Sequence, residues 1–78
     1  MQQFLYWPGD LVKFHNGIPF GETGFHDLGL IIRRDFTDAR EPAVLITFPH
    51  ASGQEYHYYD LELHEWELSG TIEVQRAS

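Results

Sequence analysis

The sequence predicts an all-β fold, a small barrel of five to six strands with a long first loop and at most one short helical turn. Three observations predict it. Apolar and β-branched residues recur with a period of two rather than 3.6, the strand signature. Gly, Pro and Asp clusters separate these runs at short intervals. The chain is only 78 residues long, with 12 acidic residues against five Lys and Arg and no cysteine. That length supports one domain over residues 1–78, with residues 1–7 as an N-terminal arm and residues 64–78 as an additional C-terminal strand or hairpin.

The strand evidence is strongest in Ala43-Val44-Leu45-Ile46-Thr47-Phe48, where Val44, Ile46 and Phe48 share one face. Pro8-Gly9-Asp10 is a turn that opens a short strand, Leu11-Val12-Lys13-Phe14, in which Lys13 faces water. A second strand is expected over Asp27 to Arg34. Gly29 marks a bulge or a close backbone crossing there, and Leu30, Ile31 and Ile32 make the segment nearly buried on both sides. Thr71 to Gln75 alternates as a final strand. The expected core is Val12, Leu30, Ile32, Val44, Ile46, Phe48, Leu61 and Ile72.

Asn16 to His26 connects the first two strands, and it carries three glycines together with Phe20 and Phe25, so it is expected to fold back over the barrel mouth. Phe36 to Pro42 reads as a polar hairpin loop. Pro49 to Gly53 reads as a short turn into a strand at Glu55 to Tyr59. The segment Asp60 to Leu68 satisfies two periods. Leu61 and Leu63 alternate as in a strand, while Leu63 and Trp66 share a helical face behind Asp60 as a potential N-cap. A one-turn connection passing into a strand is the expectation.

The order of these elements resembles the SH3-like small barrel, in which a Gly-Asp opens the first strand, a long loop follows, three strands form a meander and a short helical turn precedes the last strand. The resemblance is carried by Pro8-Gly9-Asp10-Leu11-Val12, Gly29-Leu30-Ile31-Ile32, Val44-Leu45-Ile46-Thr47-Phe48 and Asp60-Leu61-Glu62-Leu63. It is similar to short phage-encoded proteins of that form and, more distantly, to the SH3-like subunit that helps to dock electron carriers on photosystem I. What this implies is a phage-encoded virion structural or accessory protein, cytoplasmic in the producing cell and incorporated into a particle.

Charge and motif content exclude several functions as expectations. A net charge of -7 repels phosphate backbones, which argues against direct nucleic-acid binding. The opening MQQFLYWPGD has neither a basic n-region nor an apolar run long enough to cross a membrane. His15, His26, His50, His57 and His64 lack ligand spacing, so no metal is expected, and no cofactor-cradling loop is present. Ser and Thr residues lack a nucleophile context, and a catalytic role is not expected.

The aromatic content points instead to a protein partner. Six Phe, four Tyr and two Trp exceed what so small a core can enclose, and rings with few rotamers make interface hot spots. Tyr56, Tyr58 and Tyr59 alternate across a sheet, so either Tyr56 and Tyr58 or His57 and Tyr59 point outward. With Trp66, Trp7, Phe20 and Phe25 they are the candidate partner-binding residues, and self-association is a further option. An alternative function is that of an acidic regulator that binds and blocks a host protein, with an acidic face of Glu62, Glu65 and Glu67 engaging a basic groove on it.

Overall fold

The computed structural model describes residues 4–15, 28–36, 40–51 and 53–77. Five antiparallel strands, β1 (Leu11–Phe14), β2 (Leu28–Phe36), β3 (Pro42–Phe48), β4 (Gln54–Tyr59) and β5 (Ile72–Gln75), form one sheet in the order β4-β3-β2-β1-β5. A short 3-10 turn at Pro49–Ala51 joins β3 to β4, and one helix, α1 (Asp60–Leu68), joins β4 to β5. The fold is mostly β, but the sheet does not close into the expected barrel. β4 and β5 stand at its two ends, with no pairing between them among the described residues. Helix α1 packs against β3, β4 and β5 and so covers the inner face between those ends.

Register decides which residues meet. Val44 lies opposite Tyr58 and Ile46 opposite Tyr56, so the inward side of β3 carries its parity to β4. Val44, Ile46 and Phe48 are fully buried, as the alternation predicts. Leu45 is buried on the other face, opposite Arg33 in β2 and His57 in β4.

The core differs from expectation in β2 and in the helix. Ile31 pairs with Ile46, yet Arg33 rather than Ile32 pairs with Leu45, so Ile32 is the extra residue of a β-bulge. The bulge reverses the parity of the strand. Ile31 is therefore the core residue, Leu30 is half-buried, Ile32 is exposed, and Arg34 turns inward opposite Val44. Gly29 is the close crossing: a Cβ there would collide with Ile46 Cγ2 and lie 3.1 Å from Phe48 Cε1.

Where a one-turn connection passing into a strand is expected over Asp60 to Leu68, the chain forms a nine-residue helix. Leu63 and Trp66 occupy one face at i and i+3, which puts Leu63 in the core and leaves Leu61 on the opposite side, exposed. Tyr59 is the capping position and supplies no side-chain bond, so Asp60 is the first helical residue instead of the cap. The far end is a Schellman motif. Thr71 N–H donates to the Trp66 carbonyl at 2.9 Å, Gly70 N–H donates to the Glu67 carbonyl at 3.2 Å, and Gly70 takes φ of 79°. Residues 64–78 thus contain most of the helix and a single strand, β5, paired with β1.

Candidate interaction surface

The N-terminal arm is held by a polar clamp built from three elements. Pro8 and Gly9 occupy the middle of a turn closed by the Asp10 N–H donating to the Trp7 carbonyl at 3.1 Å, with Gly9 at φ 97°. The buried carboxylate of Asp10 accepts from the Trp7 N–H at 3.1 Å and from the Ala77 N–H at 2.9 Å, which ties the turn to the chain beyond β5. Arg34, turned inward by the bulge, donates from Nη1 to both oxygens of Asp60 at 2.9 Å and to the Tyr6 carbonyl at 2.8 Å. Asp60 also accepts from the Leu5 N–H at 2.9 Å. One carboxylate at the start of α1 therefore holds both β2 and the arm. Removing either charge would strand the other in a site that excludes water.

Tyr6 is the arm's anchor in the core. It is fully buried, donates its hydroxyl to Glu67 at 2.7 Å, and lies under Arg76, whose Cζ is 4.8 Å from the ring centroid. Burial, together with the Glu67 carboxylate, pushes the Tyr6 hydroxyl well above the ordinary tyrosine range. Arg76 in turn donates to the Leu5 carbonyl at 2.7 Å and lies 3.5 Å from Asp10 and 3.7 Å from Glu67. Its charge is spent on the arm.

Flanking that anchor, Phe4 and Trp7 point outward. They are 40% and 52% exposed, and Phe36 at the end of β2 is 54% exposed. The three rings gather around the same point: Phe4 lies edge-on to Trp7 and to Phe36, each at 5.6 Å between centroids. The Arg34 guanidinium stacks on two of them, 4.3 Å from the Phe4 centroid and 5.6 Å from that of Trp7. Its Nε and Nη2 are buried without hydrogen-bond partners, and the stacked rings are what faces the cation there. The rings are thereby fixed before any partner arrives, and an apolar contact made on them costs little side-chain entropy. On the other side of Trp7 runs an open groove bounded by Leu5, Pro8, Asp10, Arg76 and Ala77.

Among the described residues, the sequence-predicted site residues are not brought together on one exposed surface. Tyr58 is 3% exposed and packs among Phe14, Phe48 and Trp66, with ring centroids 6.0, 6.4 and 5.8 Å away. Its burial, with the charge of Glu62, drives its hydroxyl well above the ordinary tyrosine range. It is a core residue and offers no surface to a partner. Tyr56 is half-buried against Phe48, at 5.9 Å between centroids, and donates its hydroxyl to Gln54 at 3.1 Å. Trp66 is half-buried against Phe14 and Tyr58. The outward pair is His57 and Tyr59. Trp7 alone of the predicted set joins the exposed ring cluster, and Phe20 and Phe25 lie outside the described residues.

Nor do the three acids form one face. Glu62 and Glu65 are neighbours along α1, whereas Glu67 points to the arm, where it accepts from Tyr6. The histidines are dispersed too. His57 Nε2 lies 3.1 Å from Asp35 Oδ2, His15 lies 3.8 Å from Glu73, and His26 is outside the described residues. The Asp35 carboxyl is held below its ordinary range, first by the Phe36 N–H it accepts from and then by His57. No three His, Asp or Glu side chains gather as metal ligands among the described residues.

Phe36, Arg34 and Asp60 are the site residues that pattern reading missed. Phe36 is hidden in the sequence by the polar stretch that follows it. Arg34 is hidden by its charge: the parity that expects Leu30 and Ile32 in the core also puts Arg34 on the core side, but an arginine closing an apolar run reads as the solvent end of the strand. Compared with known proteins, the chain matches no protein-family model, no curated protein and no solved structure.

Proposed function

We propose that the chain is a non-catalytic protein-interaction module of SH3-like form, which engages its partner through Phe4, Trp7 and Phe36. The form is supported by the strand order β4-β3-β2-β1-β5, with the helical element placed just before β5. The observation that carries the function is the exposed ring cluster. Three large side chains from two separate parts of the chain gather on Phe4, two of them stacked with one arginine, and remain open to water. A chain this small gains from burying those rings only against another molecule.

The wider setting in this proposal is a phage particle, in which a module without catalysis adds to a larger assembly. That setting rests on the resemblance of Pro8-Gly9-Asp10, Gly29-Leu30-Ile31-Ile32 and the β3 run to short phage-encoded barrels. The test is affinity capture from the producing cells with the wild-type chain, Trp7→Ala and Phe36→Ala as parallel baits, read by quantitative mass spectrometry. The proposal expects a protein enriched by the wild type and lost from both variants, each of which keeps its fold by circular dichroism. A captured set identical across the three baits would remove the ring cluster as the interface.

A further inference from the structure

The two ends of the sheet are not alike. β5 is four residues long, and the chain beyond it is tied back where the Ala77 N–H donates to Asp10. β4 is six residues long, pairs with β3 in an unbroken register, and contains no proline, lysine or bulge, the features with which sheet proteins blunt an open edge. Every second residue of such a strand turns its N–H and C=O away from the sheet, and no strand among the described residues pairs with β4 on that side. An edge of this kind accepts one geometry, a further extended strand.

Two carboxylates flank this edge, one on each side of the sheet. Glu55 is exposed on the outer face with His57 and Tyr59. Glu62 stands in the first turn of α1, on the inner side, where its charge reaches the Tyr58 hydroxyl. Neither takes part in an ion pair among the described residues. We propose that β4 is a docking edge for an extended, basic segment of another protein, which adds as a sixth strand and sets one Lys or Arg beside Glu55 and a second beside Glu62. Glu55 and Tyr58 are three positions apart and so face opposite sides of the sheet. The two basic residues of the incoming strand therefore stand three positions apart as well, whichever way it runs. Between them, an apolar side chain on the inner side covers the half-buried Tyr56.

Charge selects this occupant. Neither β4 nor α1 contains a lysine or arginine, so a second copy joined edge to edge would bring carboxylates with no cation to meet them. The net charge of -7, which repels another copy, attracts a cationic segment instead. The contact is made by the β4 backbone and two acids, and it uses none of the rings of the Phe4, Trp7 and Phe36 cluster. Six paired residues make a small contact, so the affinity for an isolated segment is modest.

The test is an NMR titration of the isotope-labelled full chain with two N-acetylated, C-amidated peptides of equal charge: TVKTVKT, whose lysines are three apart, and its isomer TVKTKVT, whose lysines are two apart and so share one face. The first should bind with a Kd below about 1 mM and shift the amides of Gln54 to Tyr59 most. The isomer should bind about fivefold more weakly, and Glu55→Lys or Glu62→Lys should weaken the first peptide about tenfold, with the spectrum of each variant reporting its fold. Methylating alternate backbone nitrogens of the peptide should abolish binding in one phase and spare it in the other, because only every second N–H faces β4. Trp7→Ala should leave binding unchanged. The proposal is overturned by the absence of saturable shifts in β4 up to about 3 mM peptide, by an isomer that binds equally well, by methylation that acts alike in both phases, or by shifts centred on Phe4, Trp7 and Phe36.

Discussion

Two aromatic stretches of four residues, Phe4-Leu5-Tyr6-Trp7 in the arm and Tyr56-His57-Tyr58-Tyr59 in β4, look alike in the sequence and are used differently. Each buries its third residue and exposes its fourth. In β4 the pattern is imposed by pairing with β3 along the whole strand, which delivers Tyr58 to the core and sends Tyr59 to a face it shares with the polar pair of His57 and Asp35. The arm is not a strand. It is positioned by side chains of other elements, chiefly Asp10, Arg34 and Asp60, and its outward rings meet a third ring, Phe36. An exposed ring beside polar neighbours is ordinary surface, whereas three exposed rings gathered together, two of them on a half-buried cation, are the feature on which the proposed contact rests.

The comparison breaks first if Tyr58 is dispensable. Tyr58→Ala removes a ring packed among three others and should cost about 3–5 kcal/mol, enough to lower the thermal midpoint by roughly 15 °C or to abolish folding. Asp60→Ala comes next: the clamp loses its carboxylate, Arg34 keeps its charge in a buried site, and thermal unfolding should show a loss of about 3 kcal/mol. Replacing both partners, Arg34→Met with Asp60→Leu, should recover much of that loss, since the penalty lies in the unpaired charge. Gly70→Ala forces a side chain into the left-handed conformation that ends α1 and should cost about 1 kcal/mol by denaturant titration.

The smallest effect belongs to the polar neighbours of Tyr59. The Asp35 carboxyl sits below its ordinary value, so its contribution to stability is present above that value and disappears as pH falls through the lower, folded one. His57→Ala removes one of the two hydrogen bonds responsible. An NMR titration should then show the Asp35 carboxyl moving up toward its ordinary range, while the Phe36 N–H keeps part of the shift.

The strands were legible where alternation met no interruption. Val44, Ile46 and Phe48 announce β3, and Pro8-Gly9-Asp10 announces the start of β1, because both signals are local. The bulge at Ile32 is not local. Two consecutive isoleucines satisfy either parity, and the choice falls to the partner strand, where Ile46 takes Ile31. The shift exchanges Ile32 for Ile31 in the core and leaves Arg34 inward under either parity, so the clamp escapes a reading that looks for apolar residues alone. The helix had a readable signal in its ending, Ser69-Gly70 after Leu63 and Trp66. Leu61 masked it by supplying the strand period at the same time. Closure failed for a related reason: α1 packs along the inner face where β4 and β5 would otherwise approach each other.

Trp7 and Phe36 on one side and Tyr59 on the other carry the central claim, that association is built on the ring cluster and separable from folding. The direct measurement is the thermal midpoint together with partner affinity for Trp7→Ala, Phe36→Ala and Tyr59→Ala, made with the protein captured by the wild-type chain. Trp7→Ala and Phe36→Ala should weaken binding by about 2 kcal/mol, roughly thirtyfold in Kd, with a midpoint lowered by about 5 °C or less, and Tyr59→Ala should change neither appreciably. Binding that survives loss of both cluster rings but is lost with Tyr59 would contradict the account and place the interface on the outer face of β4.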